Sequence, residues 1–221
     1  MLKERNLETY FKYISNFSFD KARETLEKEK EQSRASSSWS QLLNVLVILT
    51  NSEKTYHSLT FLTPRSGFIR KEQSLKTVYQ SLLLDCRNSL ELSDVGEDHK
   101  EVGEDLVRIF QVRTKMIDVY EKLCNLTSTS FLSTPLREPI PTLKQVSLEL
   151  GHCESGQLQS WLFILRAEVS ILLDYLTVCA TLQDWNFFDS IMLLQRAGET
   201  LAQWEEIVQS RETKKLGFAS R

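Results

Sequence analysis

The chain has 221 residues, of which 7 are Gly and 4 are Pro, about 5% together against a usual ~12%. That scarcity excludes an all-β sandwich or barrel, which needs a turn residue every ~8–12 positions, and a dinucleotide-binding α/β fold, which needs glycines at its strand-to-helix turns. With 27 basic and 30 acidic side chains the net charge is −3, so there is no basic excess of the kind general nucleic-acid binding requires.

The expected fold is all-α, built from stacked antiparallel helical hairpins. Residues 3–14 place Leu7, Tyr10, Phe11 and Ile14 on one face, and a second helix over 19–32 follows Ser18 as a candidate N-cap. Ser38 with Gln41 has the form of a capping box, opening a stripe of Leu42, Val45, Leu46, Leu49, Tyr56 and Leu59. A break in that helix is expected near Thr50-Asn51-Ser52. Further stripes run over 72–91 (Leu75, Tyr79, Leu82, Cys86) and 100–125 (Val102, Leu106, Ile109, Arg113, Met116, Tyr120). Residues 156–182 carry the longest 3-4 pattern, from Leu158 and Trp161 to Leu176 and Cys179. A last helix over 186–211 would turn back on it through Gln183-Asp184-Trp185, and its apolar segment 187–194 should lie between neighbours.

Linkers are expected at residues 33–40, 63–67, 92–103 and 127–142. The last holds three of the four prolines. Pro139 and Pro141 bias it to extended, mobile backbone. The expected organisation is an N-terminal helical layer over 1–126, a linker over 127–142 and a C-terminal helical hairpin over 143–221, packed together as one globular unit. That length buries about 70% of the surface the unfolded chain exposes, enough for a core without disulfides.

The residues that could carry chemistry are sparse. His152-Cys153 is adjacent in sequence, which rarely lets two side chains converge on one ion, and no Cys-x-x-Cys or His-x3-His spacing occurs. Cys86, Cys124 and Cys179 fall in or beside core stripes, where a free thiol acts as a small hydrophobe. No Gly-x-Ser-x-Gly elbow and no Gly-rich phosphate loop is present. No catalytic residue, metal or cofactor is therefore assigned. The longest apolar runs, residues 45–49 and 161–165, fall far short of the ~18 needed for a membrane span. Separated cysteines and a charged, amphipathic start point to an intracellular protein, cytoplasmic or nuclear.

Surface features are more informative. Arg65, Arg70 and Lys71, with Lys76, form a basic stretch that could meet an acidic partner or a membrane surface. An acidic stretch from Glu91 to Asp105 reads as a solvated linker and helix start. Thr63 and Thr134 each precede a proline in a loop and are candidate phosphorylation sites. Five of the 21 aromatic residues lie between positions 10 and 19. Tyr10, Tyr13 and Phe17 form a second ridge beside the Leu7–Phe11–Ile14 face. That ridge is either wedged between helices or an outward anchor for a partner, because aromatic side chains concentrate at interface centres.

Two hairpins resemble tetratricopeptide-type repeats. In the first, Tyr13, Ala22 and Leu26 stand at the aromatic, small and large positions of that motif; in the second, Ser190, Leu194 and Ala197 follow Trp185 and Phe187 in the same way. The leading Trp, the Leu-Gly pair and the terminal Pro are absent, and no 34-residue period runs through the middle of the chain. The resemblance implies a helical-repeat-like scaffold and assigns no binding residues. The functional expectation is a non-catalytic α-helical protein–protein interaction module, a scaffold or adaptor subunit of a larger intracellular complex, with Tyr10, Tyr13, Phe17, Arg65, Arg70 and Lys71 as partner-binding candidates. The alternatives are a peripheral membrane or small-GTPase-linked trafficking factor and a helical-bundle enzyme.

Overall fold

A computed structural model describes residues 2–32, 37–62, 65–92, 97–124 and 136–184, together with 189, 191–196, 198, 199 and 202. The described residues contain no strand and include seven α-helices and one 3-10 turn: α1 (Leu2–Ser15), α2 (Phe19–Gln32), α3 (Ser37–Leu62), α4 (Arg65–Leu90), α5 (Glu97–Cys124), α6 (Pro139–Gly151), the 3-10 turn Gly156–Leu158 and α7 (Gln159–Gln183). The all-α expectation holds. Helices α3, α4 and α5 have 26, 26 and 28 residues, about twice what a 34-residue two-helix repeat allows. Helices α1 and α2, at 14 residues each, and α6, at 13, have repeat-like length.

The chain divides into two compact units, Met1–Ser128 with Leu148–Leu165, and Thr129–Ser147 with Arg166–Arg221. In the first unit, neighbouring helices in the sequence pack on one another. Cross-contacts give their directions. Cys86 meets Gly103 and Lys76 meets Asp118, so α4 and α5 run antiparallel. Lys30 meets Asn44 and Asp20 meets Lys54, so α2 and α3 do too. Tyr10 reaches Leu46 while Phe17 reaches His57, which makes α1 parallel to α3. The core is the predicted stripes: Leu7, Phe11, Leu46, Leu49, Leu82, Leu106, Ile109 and Phe110 are each at most 2% exposed. Phe11 stacks on Trp161 with ring centroids 5.6 Å apart.

Several boundaries differ from the sequence expectation. Helix α3 does not break at Thr50-Asn51-Ser52, because the hydroxyls of Thr50 and Ser52 donate to the Leu46 and Ile48 carbonyls one turn back, both at 2.9 Å. Local bonding that competes with a helix elsewhere is here compatible with it. The acidic stretch is helical from Glu97 onward. Gly103 lies inside α5, where a Cβ would fall 2.6 Å from Leu90 Cδ2, so its missing side chain permits close approach of α4. Residues 65–67, expected in a turn, open α4. Pro139 and Pro141 occupy the first turn of α6 and do not hold an extended linker. The first four backbone N–H groups of a helix have no internal acceptor, so neither ring removes a bond and each fixes a helical φ.

In the second unit the buried apolar residues include Leu136, Leu143 and Val146 with Val169, Leu176, Val178, Cys179 and Ala180. Arg137 pairs with Asp184. Residues 191–196 are helical, within the helix expected over 186–211. Most of that helix, and the turn that would join it to α7, lies outside the described residues.

One buried polar cluster fixes the register of α3, α4 and α5. Arg113 and Glu53 are both 0% exposed and form a two-pronged pair, Arg113 Nε to Glu53 Oε1 at 2.9 Å and Nη2 to Oε2 at 2.7 Å. The Tyr79 hydroxyl donates to Glu53 Oε1 at 2.7 Å. The Arg113 guanidinium also lies 4.0 Å from the Tyr56 ring centroid. Burial is the largest influence on the Glu53 carboxyl and pushes its pKa upward, but Arg113 and His57 together outweigh it and hold the group down at about 2.

Removing one partner of such a buried pair costs about 3–5 kcal/mol, because the other charge is left without compensation. Arg113→Met should therefore lower unfolding stability by that amount in urea titrations, and the double change Glu53→Met/Arg113→Met should be more stable than Arg113→Met alone. The depressed Glu53 pKa also fixes the sign of an acid dependence. Between pH 4.5 and about 2 the unfolded state binds the extra proton, so stability falls as pH drops through that window. Circular-dichroism melts across this range should show a shallower fall in Glu53→Gln than in the parent chain.

Candidate functional site

Helix α1 ends in a paired-bond turn. Phe17 N donates to Ile14 O at 3.0 Å and Ser18 N to Tyr13 O at 2.9 Å, the bonding of a Schellman motif, whose left-handed position is usually Gly. Here it is Phe17, with φ 55°, and no other described non-glycine residue has positive φ. A residue with a Cβ held there costs about 1–2 kcal/mol relative to a helical conformation. The turn aims Phe17 across the end of α3: its ring stands 4.7 Å from His57 at 77° and 6.4 Å from Phe19, and Phe19 lies 6.2 Å from His57. Phe17 remains 47% exposed. The His57 side chain is 20% exposed, with Nε2 3.4 Å from Glu53 Oε2, and the exposed Lys54–Asp20 pair borders the corner at 3.4 Å. The result is an aromatic plate of Phe17, Phe19 and His57 resting on the buried Glu53–Arg113 cluster.

This arrangement divides the predicted aromatic ridge. Tyr10 is 0% exposed; its hydroxyl lies 2.9 Å from Leu46 O and 3.0 Å from Thr50 Oγ1, and burial raises its pKa. Tyr10 is therefore a core residue and cannot face a partner in this fold. Tyr13 is half-buried on α1. Arg65, Arg70 and Lys71 belong to the first two turns of α4, but their side chains lie outside the described residues, as do Thr63 and Thr134. Sequence reasoning did not associate His57 and Phe19 with Phe17. Forty positions separate Phe17 from His57, and only the parallel course of α1 and α3 joins them. A bulky residue between two short helices, where Gly or Asn is usual, was the available signal.

Other buried titratable groups among the described residues are bonded to the fold around them. Asp105, 2% exposed, accepts from the backbone N–H groups of Glu154 and Ser155 through Oδ2, both at 2.9 Å, and from Arg108 Nη1 through Oδ1 at 2.8 Å. Arg108 also donates to the His152 carbonyl at 3.2 Å. Asp105 thus ties the 152–155 segment to α5 and closes one side of an open polar groove of about 400 Å³, lined by Glu101, Glu104, Asp105, Arg108, His152 and Glu154. The thiols of Cys86, Cys153 and Cys179 are buried and in no disulfide. Burial pushes the Cys86 thiol up to about 12, far from the thiolate a nucleophile needs. Among the described residues no three His, Cys, Asp or Glu side chains are placed to share a metal ion, and no described helix is long and apolar enough to cross a membrane.

The first unit is an all-α helical stack whose deepest ionisable groups bind helix to helix and whose protruding aromatic sits at a corner. Within that class, the chain belongs to the KICSTOR complex C12orf66 like family, whose model matches residues 2–221. It is 31% identical over 231 residues to KICSTOR subunit 2 of Xenopus laevis, covering 97% of this chain and 52% of that protein. To KICSTOR subunit 2 of Danio rerio it is 29% identical over 238 residues, covering 99% and 52%. The chain thus spans about half the length of the curated relatives it matches. No solved structure matches it.

If Phe17 is kept for its exposed ring and not for its backbone, glycine should relieve the strain while removing the plate. Phe17→Gly should be more stable than Phe17→Ala by about 1 kcal/mol, since glycine adopts positive φ at no steric cost. Thermal melts of the two variants beside the parent chain would read the difference, and equal stabilities would mean that the left-handed turn is not what sets this residue.

Proposed function

We propose that the chain is a non-catalytic α-helical interaction module, serving as a scaffold or adaptor subunit of a larger protein complex. The observation that carries this reading is the family match over residues 2–221, together with relatives whose names mark them as subunits of an assembly called KICSTOR. The geometry supports it. His57 does stand beside a carboxylate, the arrangement a helical-bundle enzyme would need, but Glu53 already accepts from Arg113 and Tyr79 and is held ionised by Arg113 and His57. In the polar groove, Asp105 is committed to two backbone amides and Arg108. Charges fixed in this way hold a scaffold rigid; a general acid or base must instead exchange its proton near the working pH.

On this reading the partner-facing element of the first unit is the corner at Phe17, flanked by Tyr13 and supported by Phe19 and His57. Arg65, Arg70 and Lys71 supply a second, basic contact on α4. Intracellular action, in cytoplasm or nucleus, belongs to the same proposal. Thr63 and Thr134 are proposed as phosphorylation sites through which about −1.5 to −2 charge each would alter those contacts.

The test is affinity purification of the full chain with quantitative mass spectrometry. A defined set of proteins should co-purify, and Phe17→Gly should reduce at least one of them several-fold without lowering the melting temperature. Turnover of a small molecule by the purified protein would overturn the reading. So would binding confined to liposomes and abolished by neutralising Arg65, Arg70 and Lys71.

A further inference from the structure

We draw no further inference here: the strongest candidate, the open polar groove of about 400 Å³ between the start of α5 and the 152–154 segment, is an acidic cluster whose buried carboxylate, Asp105, is already bonded to Arg108 and to the amides of Glu154 and Ser155, and no described residue points to a ligand there.

Discussion

The Glu53–Arg113 pair is the constraint on which the first unit depends. Apolar stripes on long helices tolerate sliding by a turn, because one leucine replaces another at i+3 or i+4. A two-pronged carboxylate–guanidinium contact does not. With both groups wholly buried, a register that parts them leaves two uncompensated charges in the core. Helices α3 and α5 are thus locked to one another. Tyr79 brings α4 to the same carboxylate, and His57 carries the cluster to the surface beneath Phe17. Whether the pair adds net stability over an apolar substitute is a separate matter. Buried pairs are better attested as devices of register than as sources of stability.

Legibility in the sequence followed periodicity. The stripes through Leu7–Ile14, Leu42–Leu49, Leu75–Cys86, Val102–Met116 and Leu158–Cys179 became the core because a 3.6-residue period with few glycines or prolines admits little else. Where local signals stood in for periodicity, the reading erred. Thr50 and Ser52 looked like a break, yet both bond back into their own helix. Pro139 and Pro141 looked like a linker and hid the Leu143–Val146–Leu150 stripe of α6, since a proline's effect depends on its distance from the helix start. Arg113 was placed correctly on the α5 stripe, but nothing along the chain tells a buried guanidinium from a snorkelling one. Its partner lies 60 positions away.

The candidate sites were less legible for the same reason. Exposed aromatics gain meaning only from what stands beneath them, and His57 reaches Phe17 through a tertiary contact. Tyr10 and Phe17 look equivalent in a helical projection, about two turns apart, yet the first sits against Leu46 and Thr50 and the second beyond the last hydrogen-bonded turn.

The discontinuity of the first unit bears on how the chain is made. Its closing piece, Leu148–Leu165, follows residues that belong to the other unit, so the five helices before it leave the ribosome without their last layer. Phe11 must wait for Trp161, and Asp105 for the amides of Glu154 and Ser155, 49 and 50 positions downstream. At about 5–20 residues per second of synthesis, that is an interval of seconds in which a carboxylate and an aromatic face destined for the interior stay in water. For this unit the slow step of maturation is therefore set by translation rather than by the microsecond closure of its helices.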